Sequence, residues 1–290
     1  MEISCVICTN GRQSIYKAIN SLMKQTHPVN LIVVDDCSAL LPNIRGHSIK
    51  VIRNQTRKGL SFCRNIGYRA SNGDIVAFMD DDAFAEPNWL EELEKCFDNG
   101  ADIAGGLIVP KWEGNRPWWF KESMYNLVGL NEPTHWILGC NFAIRKGLLE
   151  KMNYFFEEKM GRKEGNLIAG DETTLFFTAQ RLGYKILFND RAIVHHIVSK
   201  ERLTFHYIVK RFFWEGRTET RRRTALGYFI GRLQYILVSF IDTITKVFSE
   251  RSSRKSALQN FMINVFFTIP YFYGMLYESV YGATDYMSKS

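Results

Sequence analysis

No run of about 20 uninterrupted apolar residues, the length a membrane-spanning helix needs, occurs in the 290-residue chain. The six cysteines show no spacing of a disulfide or zinc framework, and Cys5 and Cys8 form a lone CxxC inside an apolar run. Small buried thiols in a reducing compartment are expected instead. No leader precedes the first apolar run, which Met1 enters almost directly, so the cytosol is the expected compartment. Internal repeats and low-complexity tracts are missing. So is a glycine- and arginine-rich phosphate loop near the first strand, where only Thr9-Asn10-Gly11-Arg12 is available.

What is present suits a packed protein. With 46% hydrophobic and 23% charged residues, the chain can bury a large core or two small ones. The net charge is +7 and unevenly spread. Between Ser199 and Arg223, eight Lys/Arg face three Glu, a local excess of +5. Such a stretch suits phosphate groups, yet a charge patch alone carries no sequence recognition, and no nucleic-acid partner is expected.

Periodicity organises the first half into alternating strands and helices. Strands are expected at Ile3–Cys8, Leu31–Val34, Lys50–Arg53 and Ile75–Met79. Helices are expected around Ile15–Leu22, over Leu60–Ala70 and after Pro87. That alternation predicts an α/β fold with a mainly parallel central sheet flanked by helices. From Val109 to Pro133 the pattern turns irregular; Asp171–Leu182 reads as a helix, and Lys185–Phe188 and Ile193–Val198 as short strands. Ala225–Phe248 and Ala257–Tyr281 form an apolar helical extension interrupted by polar residues. Three readings stand for it: attachment at a membrane interface, a helical subdomain or dimer contact, and a spanning hairpin.

Ligands collect at the carboxyl ends of strands in such sheets, and two acidic clusters fall there. Asp35 and Asp36 end the second strand, and Asp80, Asp81 and Asp82 end the fourth. Adjacent carboxylates repel and gain nothing from packing; a solvated turn would explain either cluster alone. Two at comparable strand ends favour a metal–nucleotide site, because hard cations such as Mg²⁺ or Mn²⁺ prefer carboxylate oxygens with phosphates completing the shell.

The run CTNGR, then VVDDCS, then GLSFCRNIGYRASNGDIVAFMDDDAFAEPNWL resembles the nucleotide-binding half of family 2 glycosyltransferases, which adopt the GT-A fold. GCNFAIRK, FEEKMGRKEGNLIAGDETTL and HHIVSKERLTFHYIVKRFFWEGR continue the likeness in the same order, to about Arg217. The resemblance implies residues 1–223 as a GT-A domain, with nucleotide-binding and acceptor halves at 1–108 and 109–223, and 224–290 as a helical segment. It implies nucleotide contacts from Thr9, Asp36, Arg64 and Asp81, and metal ligation by Asp82, Asp80 and His196. Of the adjacent His195 and His196 only one can face the cleft. Asn141 falls in the sugar-lining segment, and Arg217, with Arg202 and Trp214, in a stretch suited to clamp a diphosphate or an anionic acceptor.

Glu172 matches the family's catalytic base, with Asp171 its competitor, because this chain reads Asp-Glu where many relatives read Glu-Asp. A plain structural alternative makes Asp171 a helix N-cap and Glu172 a first-turn carboxylate. The function implied is a metal-dependent, inverting glycosyltransferase using a nucleotide-diphosphate sugar, UDP foremost. Its acceptor would be a glycan or a lipid-linked hydroxyl, as in polysaccharide biosynthesis. The expected place is the inner face of a membrane, attached peripherally, with the oligomeric state open. Competing readings are a sugar nucleotidyltransferase and a non-catalytic membrane or anion binder.

Overall fold

A computed structural model describes residues 1–38, 49–131, 136–163, 165–222, 237 and 254–281. The expected helix at Ala225–Phe248 lies outside the described residues apart from Leu237. Two compact units emerge: Met1–Asn115 with Glu122–Asn166 and Gly170–Lys200, and Arg116–Lys121 with Leu167–Ala169 and Glu201–Ser290.

The first unit is built on one eight-stranded sheet. Its strands are β1 (Ile3–Thr9), β2 (Asn30–Asp35), β3 (Ile49–Arg53), β4 (Ile75–Asp80), β5 (Ala83–Ala85), β6 (Ile103–Trp112), β7 (Phe142–Arg145) and β8 (Ile186–Val198), ordered β3-β2-β1-β4-β7-β6-β8-β5. The run β3-β2-β1-β4 is parallel, and β6 pairs parallel with β8. β7 runs antiparallel to both β4 and β6, and β5 antiparallel to β8. The sheet is therefore mixed beyond β4. Helices α1 (Ile15–Leu22), α2 (Leu60–Ala70), α3 (Trp89–Asp98), α4 (Leu148–Met152) and α5 (Asp171–Arg181) accompany it.

Register fixes where function can sit. Cys8 pairs with Asp80 and Thr9 with Asp35, so the tips of β1, β2 and β4 end at one level. Beneath them lies a core of Tyr68, Phe78, Phe142 and Phe156, with Phe78 and Phe142 stacked at 4.7 Å. The two short strands expected after Lys185 are one continuous strand. Asn189, Asp190 and Arg191 break its apolar pattern, but β6 pairs with it up to Asn189 and again from Val194, the extra residues of β8 bulging where β6 passes from Gly106 to Ile108. The stretch after Val109 is also more regular than expected: β6 continues to Trp112, and Glu122–Val128 is a 3-10 helix.

The second unit centres on two helices, α6 (Phe205–Arg221) and α7 (Arg254–Tyr281). The expected late helix at Ala257–Tyr281 is α7, with Pro270 inside it. Glycine lets the two backbones nearly touch. A Cβ at Gly216 would lie 2.0 Å from the Tyr271 carbonyl oxygen, and one at Gly274 would lie 1.9 Å from that of Phe213. Phe212, Phe267 and Tyr271 are buried around that contact. Among the described residues no helix is long and apolar enough to cross a membrane.

Candidate active site

Thr9, at the tip of β1, joins the two acidic strand ends. Its carbonyl accepts from the Asp36 N–H at 2.8 Å, and its hydroxyl donates to Asp81 at 2.7 Å. Asp36 itself accepts from the Lys58 and Gly59 N–H groups and the Asn54 amide. Burial pushes its carboxyl up, but those donors outweigh it and hold the group below the usual carboxylate range.

Beyond β4 the three carboxylates diverge. Asp81 and Asp82 are buried, and the Arg12 guanidinium reaches both, at 3.3 and 2.5 Å. Burial pushes Asp81 up to about 6; Arg12 opposes the rise and Asp82 reinforces it. Pairing of β5 with β8 sets Ala83 opposite His196, and the Ile197 N–H donates to the Asp82 carbonyl. His196 Nε2 thereby lies 3.2 Å from the Asp82 carboxylate. Its neighbour His195 faces away, stacking on Phe84 and bonding to Glu86 at 2.6 Å. Asp80, Asp82 and His196 each offer one ligand atom, all within 4.8 Å of one another. Two carboxylate oxygens and one imidazole nitrogen, mostly hard donors, fit Mn²⁺ or Mg²⁺.

Arg64, 3% exposed on α2, connects this cluster to the start of α5. One guanidinium nitrogen reaches Asp171 at 2.9 Å and Glu172 at 3.3 Å; the other reaches the Gly139 carbonyl at 3.0 Å and Asp80 at 3.5 Å. Burial works against its charge, but Asp171, Glu172 and Asp80 more than offset that and raise its pKa. Asp171 is no N-cap: Gly170 holds that position, and the Asp171 carboxylate accepts from Ser61 at 2.8 Å as well as from Arg64. Burial pushes Asp171 up, yet Arg64 and the hydrogen bonds outweigh it and the group stays low. Glu172 is the opposite case. Burial first, then the charge of Asp171, push it up to about 7, while its side chain keeps 12% exposure.

The structure thus joins Thr9, Asp36, Arg64, Asp80, Asp81, Asp82, Asp171, Glu172 and His196 through consecutive contacts. Two expected residues are committed elsewhere. Asn141 is fully buried, accepts from Trp89 Nε1, and spends both amide hydrogens on the Leu107 and Ala192 carbonyls, tying β6 to β8. No donor is left for a sugar. Arg217 lies in the second unit, where its Nε donates to Glu278 at 2.7 Å and its guanidinium covers Trp214. Sequence reasoning singled out neither Arg12 nor Ser61. The position of Arg12 directly after the first strand tip was the available signal.

The family model described as glycosyl transferase family 2 matches residues 4–168. The chain is 28% identical over 237 residues to the glucosyl-dolichyl phosphate glucuronosyltransferase of Haloferax volcanii, covering 74% of this chain and 75% of that one. It is 25% identical over 241 residues to the succinoglycan biosynthesis protein ExoM of Rhizobium meliloti, covering 76% and 75%. Among solved structures, S. aureus TarS 1-349 in complex with UDP superposes with a TM-score of 0.50 at 19% identity, over 98% of this chain and 92% of that one. GalNAc-T7 with UDP, GalNAc and Mn²⁺ gives 0.52 at 16% identity, over 77% of this chain and 50% of that one. At such identities the superpositions establish a shared fold, the GT-A architecture.

Proposed function

The chain belongs to glycosyl transferase family 2, and from that premise we propose that it moves a sugar from a nucleotide diphosphate, UDP foremost, to an acceptor hydroxyl with inversion. One observation carries this reading. Arg64 bridges the carboxylate tip of β4 to the acidic start of α5, so a donor-holding group and a base belong to one cluster.

On this reading Thr9, Asp36 and Asp81 hold the nucleoside. Asp80, Asp82 and His196 would hold a divalent cation, which supplies positive charge to the departing diphosphate. Arg12 now fills part of that negative field and would turn to the diphosphate once a donor enters. Glu172, with its pKa near neutrality, takes the acceptor proton onto a carboxylate oxygen. The acceptor oxygen then bonds to the anomeric carbon, and the bond from that carbon to the phosphate oxygen breaks, its electron pair leaving with the diphosphate. Asp171, held low by Arg64 and Ser61, stays ionised and keeps Glu172 basic.

The names of the Haloferax and Rhizobium relatives place them on a dolichyl-phosphate glycan and in succinoglycan synthesis. By analogy the acceptor here is a lipid-linked or growing glycan, met at the cytoplasmic face of a membrane. The test is incubation with a panel of UDP-sugars and Mn²⁺, reading release of UDP. Slow release by the natural chain, abolished in Asp82→Asn, is expected. Pyrophosphate release from a nucleoside triphosphate, or no turnover of any donor, would overturn the reading.

A further inference from the structure

From Leu258 to Tyr281 the chain contains a single charged residue, Glu278. That residue is buried against α6, where Arg217 Nε donates to it at 2.7 Å and Arg221 Nε at 2.5 Å. The water-facing side of α7 over this span therefore carries no charge. It carries instead Met262, Phe266, Ile269, Tyr273, Leu276 and Val280, between 47% and 66% exposed. Their spacing of three and four residues lays them along one face of the helix. Leaving such a row in water is unfavourable, and contiguous exposed apolar surface of this kind marks an interaction site.

We propose that this face of α7 lies on the surface of an anionic lipid bilayer. Three observations choose the bilayer over a second copy of the chain. The same unit presents cationic and aromatic groups: Arg116 and Trp118 are both exposed, and Trp119 packs on Phe205 and Phe267 at 5.6 and 6.0 Å. On α6, Phe205, His206 and Lys210 are exposed. Tryptophan and tyrosine with basic neighbours suit the headgroup boundary, where rings enter and cations meet phosphate. Secondly, the Ser199–Arg223 stretch carries an excess of +5, of which the buried Glu278 offsets one charge, and the surplus that is left repels its own copy and attracts acidic lipid. Thirdly, a helical zipper prefers branched aliphatic seams on smooth helices. This stripe holds Phe266 and Tyr273 at alternate positions and has Pro270 between them. Among the described residues no helix crosses a membrane, so α7 lies in the plane of the interface.

The surface belongs to the second unit and not to the acidic cluster, so its test reads binding and is independent of the transfer reading. The full chain is mixed with phosphatidylcholine vesicles, with and without phosphatidylglycerol, and the bound fraction is measured by flotation. Binding that strengthens with phosphatidylglycerol and weakens with salt is expected. The double variant Ile269→Glu/Leu276→Glu, both side chains more than 60% exposed, should lower vesicle affinity about 100-fold. Its circular dichroism, oligomeric state and donor hydrolysis should be unchanged. Independently of that variant, brominated phosphatidylcholine in the acidic vesicles should quench emission that Trp118→Phe removes. Wild-type affinity in the double variant, unquenched Trp118, or a lipid-free dimer that the variant dissociates would each overturn the proposal, the last in favour of a second copy.

Discussion

Each unit buries an arginine against carboxylates, and the two arrangements differ in how the charge balances. In the first unit Arg64 and Arg12 meet five carboxylates: Asp80, Asp81, Asp82, Asp171 and Glu172. In the second, Glu278 meets both Arg217 and Arg221. The first cluster is short of positive charge and keeps one carboxylate, Glu172, raised toward neutrality. In the second, two guanidinium groups match the one carboxylate of Glu278, and the arrangement serves packing. A buried ion pair is thus not diagnostic of function. An unbalanced one is, because the missing charge must come from a ligand or from a shifted pKa.

That contrast can be broken experimentally. Glu172→Gln removes the one carboxylate suited to take a proton, and turnover should fall about 10³-fold while calorimetric UDP affinity holds. Near-normal turnover would move the base to Asp171. Next in size, Arg64→Met strands the buried Asp171 beside the partly buried Glu172 and should cost about 3 to 5 kcal/mol in urea denaturation. Arg217→Met leaves Glu278 with Arg221 and should cost only about 2 kcal/mol. Equal losses would erase the distinction between the units.

A pH series sharpens it further. Because Glu172 acts as a base, kcat should climb as pH rises through about 7. In Asp171→Asn the climb should occur at lower pH, since the neighbouring negative charge that holds the proton is gone. The effect on stability has the opposite sign. A carboxylate raised on folding keeps a proton that the unfolded chain has released, so stability should drop between the ordinary value of 4.5 and about 7. Tm against pH should flatten over that window in Glu172→Gln. The smallest effect is expected from Arg12→Ala. Freeing Asp82 of its 2.5 Å partner should raise Mn²⁺ affinity without nucleotide about threefold to tenfold, by calorimetric titration. Unchanged or weaker affinity would remove Arg12 from the cation's place.

Local signals were legible in the sequence. The helix Leu60–Ala70 has the expected bounds, the helix beginning at Asp171 starts where it should, and both acidic runs stand at strand tips. Pairings between distant residues were not. Arg64 and Asp171 lie 107 positions apart, and nothing in either neighbourhood announces the other. Asn141 and Arg217 sit where the family pattern places ligand contacts, but a buried amide with two carbonyls in reach, or a guanidinium beside Glu278, satisfies its partners inside the fold. Motif position names a candidate; only the inventory of donors and acceptors shows whether it is still available.

The meeting of Gly216 and Gly274 also sets a limit on sequence drift. Glu278 lies one helical turn beyond Gly274, so any side chain that wedges α6 and α7 apart would draw that carboxylate away from both its arginines. The result would be a bare anion on the flank of a span, Leu258–Tyr281, that holds no other charge. Substitutions at these two positions should therefore be rejected even as alanine, whereas the outward stripe should accept free exchange among large apolar side chains.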